Sequence, residues 1–416
     1  MPSSVAAAVD LASVDLSDVD LFADGPPHEL FARMRAEAPV HRNPTADGDP
    51  FWSLTRAEEV AAVSLDPGTF STARGGIFQR PDTLLPLELG QTWVIFKDPP
   101  EHTKHREIVG KAFLARSLVI LDDVIKAIVN DSMDKVLAKG ECDLVRDIAV
   151  PIPLTVMSRM LGSPDEDIPR LLRWNDEIQY GITNNTNGRQ TVEELAEHFR
   201  KVVDNQLIRG LDSLAGAVAK AEVDGQHLTD AEIAVYFAVL LFTGTEHTRN
   251  AISNGLLTLL EHPDQLDELS KEPTRLRCTK SGHAPAPLEE ILRWTTPVNY
   301  LARTATKDTT VGGVNIKEND RLVLWYASAS RDPEQFPGAE KLDINRAKSD
   351  PPHFAFGGGG PHFCQGAGLA NRMVSVTIME VLKRMADVEL TGPAVRVPST
   401  FVNAPTSIPV RFNATS

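Results

Sequence analysis

The sequence predicts a mostly α-helical protein with a smaller β portion, folded as one body. Three observations lead there. Apolar residues recur at helical spacing from about residue 27 to 295. Strand-like stretches cluster at 300–325 and again at 387–412. Neither an internal repeat nor a long low-complexity linker divides the 416 residues. Large enzymes of this length do fold as single domains.

Composition narrows the class. The chain is 42% hydrophobic and 24% charged, with a net charge of −15. Such a surface repels phosphate, which argues against a general nucleic-acid or membrane-surface binder. Cys142, Cys278 and Cys364 are too few and too scattered for a disulfide framework or a CxxC metal site, and they fit a reducing compartment. The start, MPSSVAAAVDLASVDLSDVDLF, has no cationic head and no apolar run of signal or transmembrane length. The expectation is a cytoplasmic protein with no stable membrane anchor. Residues 1–24 would be a flexible N-terminal tail ahead of a body spanning 25–416.

Residues 27–41 read as a helix, followed by the strand-like FWSLT. Residues 56–66 have helical spacing and stop before Pro67. The stretch 70–98 mixes Gly75, Gly76, Pro81, Pro86 and Gly90 with apolar residues and reads as a long irregular loop, often a functional kind of segment. Asp98-Pro99-Pro100-Glu101-His102 opens a helix, with the prolines in its first turn. Helical patterns follow at about 117–138, 153–162, 165–180, 192–221, 229–261 and 286–295. Strands are expected at 300–306, 309–316, 321–325 and 387–412, and a last helix at about 365–386.

The segment 229–261 is apolar on all sides in its first half, which means burial. Then comes Thr243-Gly244-Thr245-Glu246-His247-Thr248. Glycine in a helix interior costs about 1 kcal/mol relative to alanine, and an unpaired Glu246 is expensive to bury. The sequence therefore predicts a weakened turn. It would be either a kink with a hydrated polar cluster or a groove where a small ligand and protons approach the backbone. In EEILRW, Glu290 and Arg293 share a helix face. Alone, they read as a surface ion pair worth roughly a few tenths of a kcal/mol.

Residues 354–370, FAFGGGGPHFCQGAGLA, place four glycines ahead of Cys364. The cysteine reads as a buried hydrophobe, as a nucleophile beside His362, or as a bystander to a phosphate cradle. It also reads as a thiolate ligand to haem iron, with loop N–H groups aimed at the sulfur. The glycine run lacks the Lys-Ser/Thr and the spacing of a phosphate loop.

Taken in order, four stretches resemble the cytochrome P-450 family. Phe356-Gly357 through Cys364-Gln365-Gly366-Ala367-Gly368-Leu369-Ala370 is similar to its cysteine loop. Glu290-x-x-Arg293 resembles its helix K, Thr243–Thr248 the oxygen-binding turn of its helix I, and Asp98–Thr103 the start of its helix C. The resemblance covers the chain from about residue 25 to the end. It implies the P-450 fold of the soluble bacterial type and a heme b cofactor (iron protoporphyrin IX) with Cys364 as axial thiolate. His102, Arg106, Arg303 and His362 would hold the haem propionates, with Phe356, Gly366 and Gly244 also against the cofactor. Glu290 and Arg293 would be structural, with Arg346 as a third member. Glu246, His247, Thr248 and Thr243 would form the oxygen-activating turn. The family has an acid followed by Thr there, and this chain has His247 in place of that Thr. Either His247 relays protons, or Thr243 supplies the hydroxyl, or His247 binds the iron and blocks oxygen.

The implied activity is monooxygenation of an unactivated C–H bond with O2 and two electrons from a ferredoxin with its reductase. Lys104, Arg106, Lys111, Arg116 and Arg372 would form the docking face. Phe356 stands eight residues before Cys364, one more than is usual. This extra residue, with Thr248-Arg249-Asn250-Ala251-Ile252 and RWTTPVNYLART, resembles actinobacterial members that oxidise terminal methyls of sterol side chains and methyl-branched lipids. The tail 388–412 is also similar to terpene and alkane hydroxylases. Expected substrate contacts are Phe78, Leu84 and Leu85, then Ala238, Leu241 and Phe242, then Val298 to Leu301, and Phe401 with Val402. The alternatives are a terpene or fatty-acid hydroxylase of the same fold, a haem-binding protein without turnover because of His247, and a phosphate or nucleotide binder. The segment 276–287 reads as a surface insertion.

Overall fold

The computed structural model describes residues 9–415, apart from 47, 82, 84–86, 111–112, 115–117, 120, 185–187, 206–213 and 348–352. The helix Asp230–Glu261, 32 residues long, runs through its middle. It starts at a capping box in which Thr229 and Glu232 satisfy each other's backbone N–H groups. Helices Pro151–Met160, Arg189–Asp204, Ala286–Thr295 and Ala367–Arg384 pack against it, which is why Phe237 and Ile252 are fully buried. The turn Thr243–Thr248 stays helical, without an interruption. Gly244 also serves packing, because a Cβ there would lie 2.8 Å from Met157 Sδ.

Beside the helices lies a five-stranded sheet in the order Val40–Asn43, Phe51–Leu54, Arg321–Trp325, Tyr300–Ala305, Phe70–Ser71. Phe51–Leu54 pairs in parallel with Arg321–Trp325, and the other pairs are antiparallel. Arg321–Trp325 is central and buried along its whole length, as its run of large apolar residues requires. A second sheet joins Met385–Leu390, Pro409–Ala414 and Glu141–Asp143.

Several boundaries differ from expectation. The helix Glu101–Gly110 begins after Pro99-Pro100, not with them, because a residue followed by proline is pushed out of the α region. The loop 70–98 contains a short strand Phe70–Ser71, a helical turn Leu87–Gly90 and a 3-10 turn Val94–Phe96. The pattern at 192–221 resolves into Arg189–Asp204 and Leu214–Ala219, and 309–316 into a hairpin. The tail also departs from the expectation. From Val9 onward it lies on the body: Asp10 and Asp18 cap two 3-10 turns, Leu16 and Phe22 are buried, and Phe22 stacks on Trp325 at 5.6 Å. Aspartates that look like solvating charges in the sequence are helix caps here.

Candidate active site

The cysteine loop is shaped by its glycines. After the 3-10 turn Phe354–Phe356, Gly357, Gly359 and Gly360 take φ values of 99°, 90° and 70°, which side chains disfavour. The turn folds back so that Cys364 N–H donates to Phe356 O at 3.0 Å. Cys364 opens onto a cavity but is enclosed by protein. Burial raises its thiol pKa, and the N–H groups of Gly366 and Ala367 and the Arg106 guanidinium oppose this. Gly366 is not needed for clearance at the sulfur, since a Cβ there would meet Sγ at an ordinary 3.9 Å.

The cavity has a volume of about 270 Å³. Cys364, Phe356 and Gly366 lie on one wall, and Thr243, Gly244, His247 and Thr248 of the long helix on another. His247 is half-buried where it opens onto the cavity, and desolvation pulls its imidazole down to about 4, so it is neutral at physiological pH. Its Nε2 has no hydrogen-bond partner among the described residues. Thr243 spends its hydroxyl proton on Val239 O at 2.8 Å. Glu246 turns away from the cavity. It is fully buried and accepts from Arg249 at 2.7 Å, Asn175 at 3.0 Å and Asn250 at 3.2 Å. Arg249 also donates to Asp176 at 3.0 Å, a half-exposed carboxylate.

A cluster of arginine and histidine side chains meets the same cavity. Arg303 is 2% exposed and hydrogen-bonds to Ala302 O and Tyr326, and no carboxylate pairs with it among the described residues. The rings of His102 and His362 lie 4.1 Å apart, each with one buried ring nitrogen unpaired (Nδ1 and Nε2). Burial lowers His102 to about 4 and His362 to about 2, with Arg303 and Arg106 adding to the shift. Arg106 donates to the carbonyls of Pro361 at 2.8 Å and of Phe363, bracing the loop. An uncompensated buried guanidinium and two orphaned imidazole nitrogens fit a ligand that brings carboxylates. Together with a thiol on the cavity wall, this donor set fits a haem.

Glu290 and Arg293 are not a surface pair. Both are 2% exposed and joined by two hydrogen bonds of 2.7 and 2.8 Å. Arg346 Nε adds a third at 2.9 Å. Arg293 Nη1 also donates to Ser330 O, while Ser330 Oγ accepts from Phe354 N–H at the start of the cysteine loop.

Phe78, Val298, Leu301, Phe242 and Phe401 line the cavity. Val298 and Phe401 are brought together by the Val298–Val402 bridge and the Asn299 N–H to Phe401 O bond of 2.8 Å. Leu241, Ala238 and Val402 are buried in the core and do not line it. Leu84 and Leu85 lie outside the described residues, as do Lys111 and Arg116. The other proposed docking cations are already engaged. Lys104 pairs with Glu101 and Asp224, Arg106 binds the cysteine loop, and Arg372 is 3% exposed and pairs with Asp122. The segment 276–287 is only partly a surface insertion: Leu276 and Ala284 are buried, and Ser375 and Arg372 of the last helix bond to its carbonyls. Sequence reasoning missed Trp93, Met157 and Pro297 on the cavity wall, and Arg249 beside Glu246. Arg249 carried a readable signal, the same three-residue spacing as Glu290 and Arg293.

Residues 155–389 match the model of the family described as Cytochrome P-450. The methyl-branched lipid omega-hydroxylase of Mycobacterium tuberculosis is 31% identical over 97% of this chain and 96% of its own length. The steroid C26-monooxygenase of Rhodococcus jostii is 30% identical over 97% and 85% respectively. A Mycobacterium marinum cytochrome P-450, solved in complex with pseudoionone, superimposes with a TM-score of 0.85 at 32% identity, covering 96% of this chain and 98% of that one. No described helix is long and apolar enough to cross a membrane. The match spans the long helix, the Glu290–Arg293 pair and the cysteine loop, and the chain belongs to the cytochrome P-450 family of monooxygenases.

Proposed function

We propose that this monooxygenase hydroxylates an unactivated C–H bond of a lipophilic substrate, a steroid side chain or a methyl-branched lipid. The supporting observation is the one cavity that joins the Cys364 thiol to a wall of Phe78, Val298, Leu301 and Phe401. The relatives named for methyl-branched lipid and steroid oxidation support the same reading. The cofactor would be heme b, held by the Cys364 thiolate, with Arg303, His102, His362 and Arg106 binding its carboxylates. Bound there, haem would supply the activation of dioxygen, by which one oxygen atom enters the C–H bond and the other leaves as water with the uptake of two electrons and two protons. Two electrons would come from a ferredoxin and its reductase, in the cytoplasm.

The chain's own residues bind, dry and deliver protons. The apolar wall excludes water and holds the substrate. Gly366 and Ala367 N–H groups steady the sulfur's charge. Neutral His247 presents a ring nitrogen to the cavity and can accept a proton there and pass it on. Glu246, with Arg249 and Asp176, provides the charged connection from that turn to the surface. The reading as a haem protein without turnover has no support among the relatives, which are named as oxygenases.

The test is a binding screen of the haem-loaded protein against sterols, methyl-branched fatty acids, straight fatty acids and terpenes, read by the spin-state shift. Sterols or methyl-branched lipids should bind tightest and be oxidised at a terminal methyl. A terpene that binds tighter would favour the second reading, a terpene hydroxylase, for which the pseudoionone complex is the motivating observation.

A further inference from the structure

One buried guanidinium has no place in the machinery described so far. Arg321 opens the central strand and is only 9% exposed, yet it does not line the cavity and forms no ion pair among the described residues. Burial pulls it down to about 10, so it keeps its charge at neutral pH. Burying a charge without an ion-pair partner is costly, and its hydrogen bonds offset much of that cost, with electrostatic help from Asp49. Those bonds go to one place. Nη1 donates to Thr304 Oγ1 at 3.0 Å, and Nη2 donates to Gly76 O at 3.2 Å and to Phe78 O. Between those carbonyls, Ile77 O accepts from Ala302 N–H at 2.8 Å. One residue further on, Gln79 N–H donates to Tyr300 OH at 3.3 Å. The loop lies directly on the guanidinium, since a Cβ at Gly75 would collide with Arg321 Nη1 and Thr304 Oγ1.

The other side of that backbone is the cavity wall. Ile77 and Phe78 line it, and the Phe78 ring meets Phe401 at 5.2 Å and Phe96 at 6.0 Å. Phe401 in turn faces the His247 ring at 6.1 Å.

We propose that Arg321 is a positioning residue for substrate. By holding the carbonyls on either side of Ile77, it fixes where Ile77 and the Phe78 ring stand in the wall. It thereby sets how squarely a lipophile sits beside the oxygen-activating turn. A planar fork can hold two carbonyls and a hydroxyl at once, which the point charge of lysine does less well. The inference rests on the reading of this cavity as the substrate chamber.

The test uses haem-loaded Arg321→Met, Arg321→Lys, Phe78→Ala and the double variant Arg321→Met/Phe78→Ala. Three probes are titrated: a sterol with an intact side chain, a methyl-branched fatty acid and pseudoionone. The ferrous carbonyl spectrum reports the haem site, and hydrogen exchange reports the 72–80 segment. Arg321→Met should weaken the best probe by about tenfold, speed exchange at 72–80 and spread oxidation over more positions, with the carbonyl spectrum unchanged. Arg321→Lys should fall between it and the wild type. The double variant should bind no worse than the weaker single one, because both changes act through the same ring. Should Arg321→Met not fold, Arg321→Lys decides by the same readouts. A wild type that binds a probe while the variants bind it equally, with the same products, overturns the inference and leaves Arg321 a core residue. A wild type that takes none of the probes overturns the substrate-chamber reading, and the inference with it.

Discussion

Arg249 holds Glu246 by a 2.7 Å hydrogen bond from Nη2 to Oε1, and Glu246 is fully buried. The pair lies on the same turn as His247, which faces the cavity while Glu246 faces away from it. Charge is thus kept on the rear of the turn and a neutral ring on the front.

The first prediction concerns that pair. Arg249→Met leaves a buried carboxylate with only Asn175 and Asn250, and removal of one partner from a buried ion pair costs about 3–5 kcal/mol. Glu246→Gln leaves Arg249 with Asp176 and should cost less. Urea denaturation of the haem-loaded proteins measures both. Equal losses would show that Asp176 does not compensate Arg249.

His247 is the second. Both His247→Thr and His247→Phe should keep haem and an unchanged resting spectrum. His247→Thr, with a hydroxyl that can relay protons, should turn over with somewhat poorer coupling. His247→Phe, which can relay nothing, should yield at least about a hundredfold less product per electron, the scale of a lost proton-transfer group. Peroxide released per electron is the complementary measurement. An altered resting spectrum in either variant would instead place the imidazole on the iron.

The same residue gives a pH dependence. An unfolded histidine takes up its proton near pH 6.5, whereas burial lets folded His247 do so only at about 4. Between these values the unfolded state binds more protons, so folding stability falls as pH falls through the window. The slope is at most about 1.4 kcal/mol per pH unit for one group. Wild type should therefore lose stability relative to His247→Phe between pH 6.5 and 4, and the two should run parallel above pH 7. Parallel curves throughout would mean that the imidazole is not desolvated.

Glu290 ties Arg293 and Arg346 together, and Arg293 reaches Ser330, which also holds the cysteine loop. Glu290→Ala strands a buried arginine and should cost more than about 3 kcal/mol and lower the haem retained on purification. Arg346→Met, at a more exposed position, should do less of both. Full haem occupancy in Glu290→Ala would detach this network from the loop.

What the sequence reveals follows the range of the interactions. The cysteine loop, the turn at Thr243–Thr248 and the Glu290–Arg293 pair are legible because each is built within a few consecutive residues. The cluster of His102, Arg303 and His362 is legible only through the family resemblance, since no local pattern joins them. The Asp176–Arg249 bond, 73 residues apart, and the Arg321 clamp on Gly76 and Phe78 are invisible to spacing. The pairing of two expected docking cations was hidden for the same reason: Lys104 and Arg372 look like free cations until Asp224 and Asp122 fold against them. Leu16 and Phe22 are hidden among aspartates that read as solvated and serve as caps.

The most direct test of the central claim is the spectrum of the purified, reduced protein with and without carbon monoxide, alongside Cys364→Ser. The account predicts the strongly red-shifted Soret band of a thiolate-bound ferrous carbonyl in the wild type and its loss in Cys364→Ser. A wild-type protein without haem, or a carbonyl adduct with the unshifted band, would contradict it.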